Sequence, residues 1–235
     1  IMKQEFNLDL NKAKYFAGHS LGEYSALSCA EYLSFSETIK ILQKRGTAMQ
    51  SAVPKGEGGM VAVLGSTINE IENIINDNRN EFTTQIANDN SEAQIVLSGK
   101  KKDLDQMTKI LKSKSIKNII LPVSAPFHCK LMSKATNIMK NEIEKVNFKD
   151  GENVLISNVT AEEIPNKVEL KKLLIDQIEN RVRWRESVIY MINKGTNQFI
   201  EMGPGKVLSG LIKRIDKNVK INTINSDSDI KELKI

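Results

Sequence analysis

One stretch constrains this chain more than any other. It is Gly18-His19-Ser20-Leu21-Gly22, entered from Lys14-Tyr15-Phe16-Ala17 and left through Glu23-Tyr24-Ser25-Ala26-Leu27. A short apolar strand runs into a serine between two glycines, and a helix-forming run follows at once. G-x-S-x-G in that context is what a nucleophile elbow needs: a sharp, strained turn that lifts the serine hydroxyl clear of the backbone. Gly18 and Gly22 carry no Cβ, which lets strand and helix approach closely. The N–H of Leu21, at the start of the helix, points to where an oxyanion would form. The competing reading is a Gly/Ser turn without chemistry.

A serine nucleophile needs a base. The chain has only 2 histidines. His19 lies inside the elbow and its side chain must leave the backbone in another direction. By elimination the base is His128, in a loop after Pro126. In α/β-hydrolases the chain order is Ser, acid, His, with His near the C-terminus. Here His128 is mid-chain, and the acids between Ser20 and His128 fall mostly in helices and turns of a separate unit. A dyad, with a backbone carbonyl orienting the imidazole, fits better than a triad. Arg45 also stands out. Of the 34 Lys and Arg residues only 6 are Arg. A retained Arg on the helix just after the elbow offers a planar fork that binds a carboxylate through two parallel hydrogen bonds; the bland alternative is a surface arginine.

Taken in order, the segments predict an α/β protein. A strand is expected over 14–18 and a helix over 21–31. A second helix starts with Ser34 as N-cap and Glu37 in a capping box and runs to about Val53. Pro54–Gly59 reads as a loop and a boundary. Strands over 60–64, 83–87, 94–97 and 118–123, with helices over 68–78 and 103–113, spell βαββαβ, a ferredoxin-like unit. Helices follow over 131–146, 168–179, 184–193 and 207–214, and strands over 153–157, 198–201 and 220–224. Strands alternating with helices outside the insert argue for a mostly parallel sheet covered on both faces. The reading is an α/β-hydrolase-like core of residues 1–57 and 124–235 carrying a ferredoxin-like subdomain at 58–123. Residues 1–13 read as a helix end or connector.

Composition narrows the function classes. No apolar run approaches a membrane span, and the start shows no secretory signal pattern. The chain does not begin with Met, so the expectation is part of a longer protein. Cys29 and Cys129 make neither a disulfide framework nor a metal site, which points to a reducing compartment, cytoplasmic or an organelle such as a plastid. Net charge is +5, but no basic run is interleaved with aromatics, so nucleic acid is not an expected partner.

With these residues in view, the chain resembles malonyl-CoA:acyl-carrier-protein transacylase. The resemblance rests on Gly18 to Leu27, Arg45-Gly46, Ala87-Asn88-Asp89-Asn90-Ser91, Phe127-His128-Cys129-Lys130-Leu131-Met132 and Glu201-Met202-Gly203-Pro204-Gly205-Lys206-Val207-Leu208. It implies an acyltransferase of fatty-acid synthesis working by a ping-pong scheme. Ser20 would attack the malonyl-CoA thioester while His128 takes its proton, and the malonyl group would pass to the phosphopantetheine thiol of acyl carrier protein. Arg45 would hold the malonyl carboxylate. The backbone carbonyl of Gln177 would orient His128, Leu21 would supply an oxyanion N–H, and Asn90 would sit near the pocket. Phe127 matches the malonyl-selective pattern rather than the methylmalonyl one. The resemblance implies no metal and no cofactor beyond the coenzyme A thioester substrate, no membrane, and a monomer. The family also carries an early Gly-Gln-Gly motif whose glutamine helps form the oxyanion hole. No Gly-Gln pair occurs here and only 19 residues precede Ser20, so the expectation is a truncated chain of impaired activity. Two alternatives stay open: a serine esterase or thioesterase using the same elbow, and a non-catalytic remnant that binds carrier protein.

Overall fold

The computed structural model describes residues 5–6, 9–151 and 153–233; the expectation for residues 1–13 falls partly outside them. The approach to the elbow is extended chain rather than a full strand. Phe16 pairs in parallel with Leu155, its N–H donating to Val154 O at 2.8 Å and its carbonyl accepting from Ile156 N at 3.0 Å. The strands expected over 14–18 and 153–157 thus shrink to a single bridge. The physical cause lies on both sides: the chain turns into the elbow after Gly18, and residues 156–163 fold back on themselves through Ser157 N to Glu162 O at 2.9 Å.

Helix α1 (Leu21–Cys29) follows the elbow and buries Tyr24 and Leu27. Helix α2 (Phe35–Ser51) begins in the expected capping box, with Ser34 and Glu37 satisfying each other's backbone donors. It packs against α1 and against α5 (Ser133–Glu144). The core between them holds Leu27, Ile41, Met49, Met132, Met139, Ile143 and Leu174.

The middle of the chain forms its own sheet. Strands β1 (Gly58–Leu64), β2 (Thr84–Ser91), β3 (Gln94–Lys100) and β4 (Lys117–Ile120) pair in the order β2-β3-β1-β4. Every pairing is antiparallel, with Val61 opposite both Leu97 and Ile120. Helices α3 (Ile68–Asp77) and α4 (Lys101–Ser113) cover one face over Val61, Val63, Ile71, Leu97, Met107 and Leu111. On another part of the sheet, Met60, Ala87 and Val96 pack with Phe127. β4 stops before the expected end at 123 because Pro122 has no N–H to give a ladder. β2 shifts register between Ile86 and Asn88 and again between Asp89 and Ser91. Bulges of this kind re-aim side chains beside functional sites.

The remaining elements are α6 (Lys167–Asp176), α7 (Trp184–Asn193), β5 (Gln198–Met202), α8 (Val207–Ile215), β6 (Lys220–Ile224) and α9 (Asp227–Lys231). β5 and β6 pair in parallel. The fold is therefore α/β, but the expected mostly parallel sheet appears among the described residues only as β5–β6 and single bridges, while the largest sheet is antiparallel. The helix expected over 131–146 is a 3-10 turn, Lys130–Met132, followed by α5. The helix expected over 168–179 ends at Asp176. That early end matters, because it leaves the Gln177 carbonyl outside the helical ladder. Strand β2 ties the antiparallel sheet to the rest in part through two neighbouring residues. Asn88 bridges Val182 in parallel, and buried Asp89 takes a two-pronged ion pair from Arg185, with Nε to Oδ1 at 3.0 Å and Nη2 to Oδ2 at 2.8 Å. Among the described residues no helix is long and apolar enough to cross a membrane.

Candidate active site

Ser20 caps the N-terminus of α1 with φ +54° and ψ −106°, a conformation costly for a residue with a Cβ. The elbow survives because its backbone is held from several sides. Asn158 Oδ1 accepts from Ser20 N at 2.7 Å, and Asn158 Nδ2 donates to Gly18 O at 2.7 Å. Gln177 Nε2 donates to Ser20 O at 3.0 Å. The two glycines differ in purpose. A Cβ on Gly18 would stand 2.0 Å from the carbonyl of Gly22, whereas one on Gly22 would meet nothing within 4 Å. Gly18 is the position where close approach requires glycine, and the expectation that both glycines serve this role is corrected for Gly22.

The Ser20 side chain has two polar contacts. Its Oγ lies 2.7 Å from His128 Nε2 and accepts from Arg45 Nη2 at 3.0 Å. His128 Nδ1 lies 2.8 Å from the Gln177 carbonyl. A carbonyl can only accept, so Nδ1 carries the ring proton and Nε2 is left to accept from the serine hydroxyl. Burial, and then the nearby charge of Arg45, push the His128 pKa down to about 3. The ring is neutral at pH 7 and free to take a proton. None of the described carboxylates hydrogen-bonds it. Asp89 is engaged by Arg185, and Asp103 accepts from Thr83 N at 3.0 Å. The histidine and the serine reach one another across 108 residues of sequence, with a backbone carbonyl in the orienting position.

Arg45 projects from α2 and is buried, with 6% of its surface exposed. It is not a surface arginine. Nη2 also donates to Gln177 Oε1 at 2.8 Å, and the guanidinium stands 5.5 Å from the Tyr24 ring. Its Nε is buried with no hydrogen-bond partner among the described residues, a donor whose isolation is unfavourable until an acceptor arrives. Burial lowers the guanidinium's pKa from its ordinary value.

The other expected residues fall around this centre. Leu21 is the first helical residue after Ser20, its side chain 54% exposed. Asn90 is buried and accepts from His19 Nε2 at 2.8 Å. His19 also stacks at a tilt on Trp184, 5.8 Å between centroids. His19 thus points away from the Ser20 hydroxyl, and Asn90 reaches the elbow through it. Phe127 is half-buried between two core clusters. Gly203 and Gly205 adopt φ +131° and +95° in the turn after β5, a backbone shape that favours glycine.

Two polar residues were missed from the sequence. Asn158 gives no local signal, since its role depends on the elbow lying beside it in space. Glu23 did give one: it sits four residues before Leu27 and so shares that residue's buried helix face. It is 1% exposed and accepts from Gln177 Nε2 and, at 3.4 Å, from Asn158 N. A serine polarised by a neutral imidazole, at a helix N-terminus and beside a buried cation, is equipped for acyl transfer of a group that bears a negative charge.

The chain matches the model of the acyl transferase domain over residues 11–229. It is 40% identical over 223 residues to the malonyl CoA-acyl carrier protein transacylase of Bacillus subtilis strain 168, covering 94% of this chain and 70% of that protein. Among solved structures it is similar to an acyl-carrier-protein-S-malonyltransferase from Bartonella henselae, with a TM-score of 0.94, 40% identity, and coverage of 98% of this chain and 74% of the other. It is also similar to a malonyl-transacylase in complex with its type II PKS acyl-carrier protein, with a TM-score of 0.93, 32% identity, and 98% and 74% coverage.

Proposed function

The chain belongs to the acyl transferase domain family and, within it, to the malonyl CoA-acyl carrier protein transacylases; from that membership we propose that it transfers malonyl from malonyl-CoA to the phosphopantetheine thiol of acyl carrier protein, in fatty-acid biosynthesis, through a malonyl ester on Ser20. The observation that carries the assignment of residues is the Ser20 hydroxyl held between His128 Nε2 and Arg45 Nη2, at 2.7 and 3.0 Å.

The steps follow from that arrangement. The Ser20 Oγ–H bond gives its proton to His128 Nε2 as Oγ attacks the thioester carbonyl carbon. Negative charge on the carbonyl oxygen is met by the Leu21 N–H at the start of α1. The C–S bond breaks, and the coenzyme A sulfur takes the proton back from His128. In the second half the carrier protein's thiol gives its proton to His128 and attacks the ester, and Ser20 regains its hydrogen as the C–O bond breaks. The Gln177 carbonyl stabilises the transient imidazolium and keeps Nδ1 protonated throughout. Arg45 pairs with the malonyl carboxylate, whose burial without a partner is unfavourable. The resemblance assigns Phe127 and Asn90 to the surroundings of the acyl group, Asn90 acting through its contact with His19.

The order β2-β3-β1-β4 with two helices on one face supports reading residues 58–123 as a ferredoxin-like subdomain. The elbow supports reading residues 1–57 and 124–235 as an α/β-hydrolase-like core.

Mass spectrometry of the protein mixed with malonyl-CoA tests the function. A malonyl adduct is expected on the peptide containing Ser20, and it should vanish when carrier protein bearing its thiol is added. A full adduct in Ser20→Ala, or release of the group only as free malonate, would overturn the reading.

A further inference from the structure

The side-chain amide of Gln177 stands at the centre of the buried polar network, and its two ends face opposite chemistry. Around Nε2 are acceptors: Ser20 O at 3.0 Å, a carboxylate oxygen of Glu23, and Asn158 Oδ1 at 3.5 Å. Facing Oε1 is a donor, Arg45 Nη2, at 2.8 Å. An amide is nearly symmetric in shape, so packing alone does not decide which end points where. The neighbours' polarity decides it, and Glu23 is the charged one among the acceptors. We infer that Glu23 is a positioning residue for acyl selectivity: its carboxylate holds the Gln177 amide with Oε1 toward Arg45, and so fixes the guanidinium that reads the acyl group's carboxylate. This rests on the proposed role of Arg45.

The same carboxylate accepts from Asn158 N at 3.4 Å, the residue that clamps the elbow backbone. Glu23 makes no contact with the reacting atoms and acts through Gln177. Its replacement by Gln puts an NH₂ group where a pure acceptor stood. The Gln177 NH₂ then faces another donor and loses its charged acceptor. With only Ser20 O and Asn158 Oδ1 left to orient it, the amide is held less firmly with Oε1 toward Arg45, and the guanidinium loses its fixed position. The loss should fall on substrates that use Arg45. The charged or titratable groups that interact with Glu23 are Arg45 on α2 and Tyr24 beside it on α1; Gln177 and Asn158 are neutral. Burial raises the Glu23 pKa to about 7, so the acceptor pair is weakened by protonation in mildly acidic solution.

The test measures kcat/KM for malonyl-CoA and acetyl-CoA in wild type, Glu23→Gln, Gln177→Ala and the double variant. The malonyl-to-acetyl ratio should fall about tenfold or more in Glu23→Gln, the scale of one misdirected hydrogen bond to a charged group. In the Gln177→Ala background, Glu23→Gln should change that ratio little, because the amide through which it acts is gone. Should Glu23→Gln fail to fold, Glu23→Asp takes its place: its shorter carboxylate draws back from the Gln177 amide, and the ratio should fall there too. An unchanged ratio in the folded Glu23 variant, or equal effects with and without the Gln177 side chain, would overturn the inference. A wild type that transfers acetyl as fast as malonyl would instead overturn the reading of Arg45.

Discussion

Arg45 Nη2 lies 3.0 Å from Ser20 Oγ, so a guanidinium on α2 donates to the hydroxyl at the N-terminus of α1. The contact engages a lone pair of the nucleophile, and the same charge is the second cause, after burial, of the depressed His128 pKa. On the role proposed for Arg45, a carboxylate arriving with the substrate would pair with that charge and relieve both effects, linking binding of the acyl group to activation of the serine through one side chain.

The first prediction concerns selectivity. Arg45→Ala should lower malonyl transfer steeply and raise acetyl transfer, since acetyl leaves the buried guanidinium unpaired. Arg45→Lys should restore little, because a point charge cannot make the two-pronged contact. kcat/KM for both thioesters in the three proteins checks this; an equal decline for both would assign Arg45 to the fold.

His128 should be indispensable and should titrate low. His128→Ala is expected to reduce transfer by ~100-fold or more, the usual scale for loss of a general base. In wild type the acid limb for acylation of Ser20 by a neutral serine-directed reagent should lie well below pH 6.5, and in Arg45→Ala it should move upward. Stability follows the same shift. The unfolded chain takes up a proton at His128 near pH 6.5, while the folded chain resists until about pH 3. The contribution is full above pH 6.5 and lost as the pH falls toward 3, up to about 5 kcal/mol. Melting temperatures of wild type and His128→Ala between pH 4 and 7 should converge on the acid side.

Glu23 should have the opposite sign. The unfolded chain releases its proton near pH 4.5, whereas the folded chain keeps it to about pH 7. Its contribution is largest below pH 4.5 and shrinks as the pH rises to 7, by about 3 kcal/mol. The stability difference between wild type and Glu23→Gln, measured by urea unfolding, should therefore fall across that window. A difference that grows with pH would contradict burial as the dominant influence on this carboxylate.

Gly18→Ala should break the elbow, whereas Gly22→Ala should be tolerated. The added methyl at 18 meets the Gly22 carbonyl at 2.0 Å, and the one at 22 meets nothing within 4 Å. Overpacking of this kind costs about 1–3 kcal/mol or more. Thermal melting together with Ser20 acylation distinguishes the two; equal behaviour of both variants would refute the geometry.

What the sequence determined was local. The elbow, the Ser34 capping box and the βαββαβ rhythm of residues 58–123 were legible because each depends on residues a few positions apart: a glycine where a Cβ has no room, a hydroxyl three residues from a carboxylate, apolar residues at period 2 or 3.6. The strand end before Pro122 is of the same local kind, although the expected strand ran past it to 123. The length of strands around Phe16 and Leu155 could not, because parallel pairing is set by the partner strand rather than by either segment. The site divides along the same line. Ser20, and Arg45 as an arginine in an Arg-poor chain, were visible as residue types in context. His128 followed as the base by elimination from 2 histidines, and the Gln177 carbonyl from the resemblance. Tertiary structure decided the geometry that joins them across 108 residues, the stop of α6 at Asp176 that frees that carbonyl for the ring, and the buried network shared by Glu23, Asn158 and Gln177. Hydrogen bonds are short-ranged and directional, and burial multiplies their weight, so which polar groups pair is settled only when the chain has brought them within 3 Å in the absence of water.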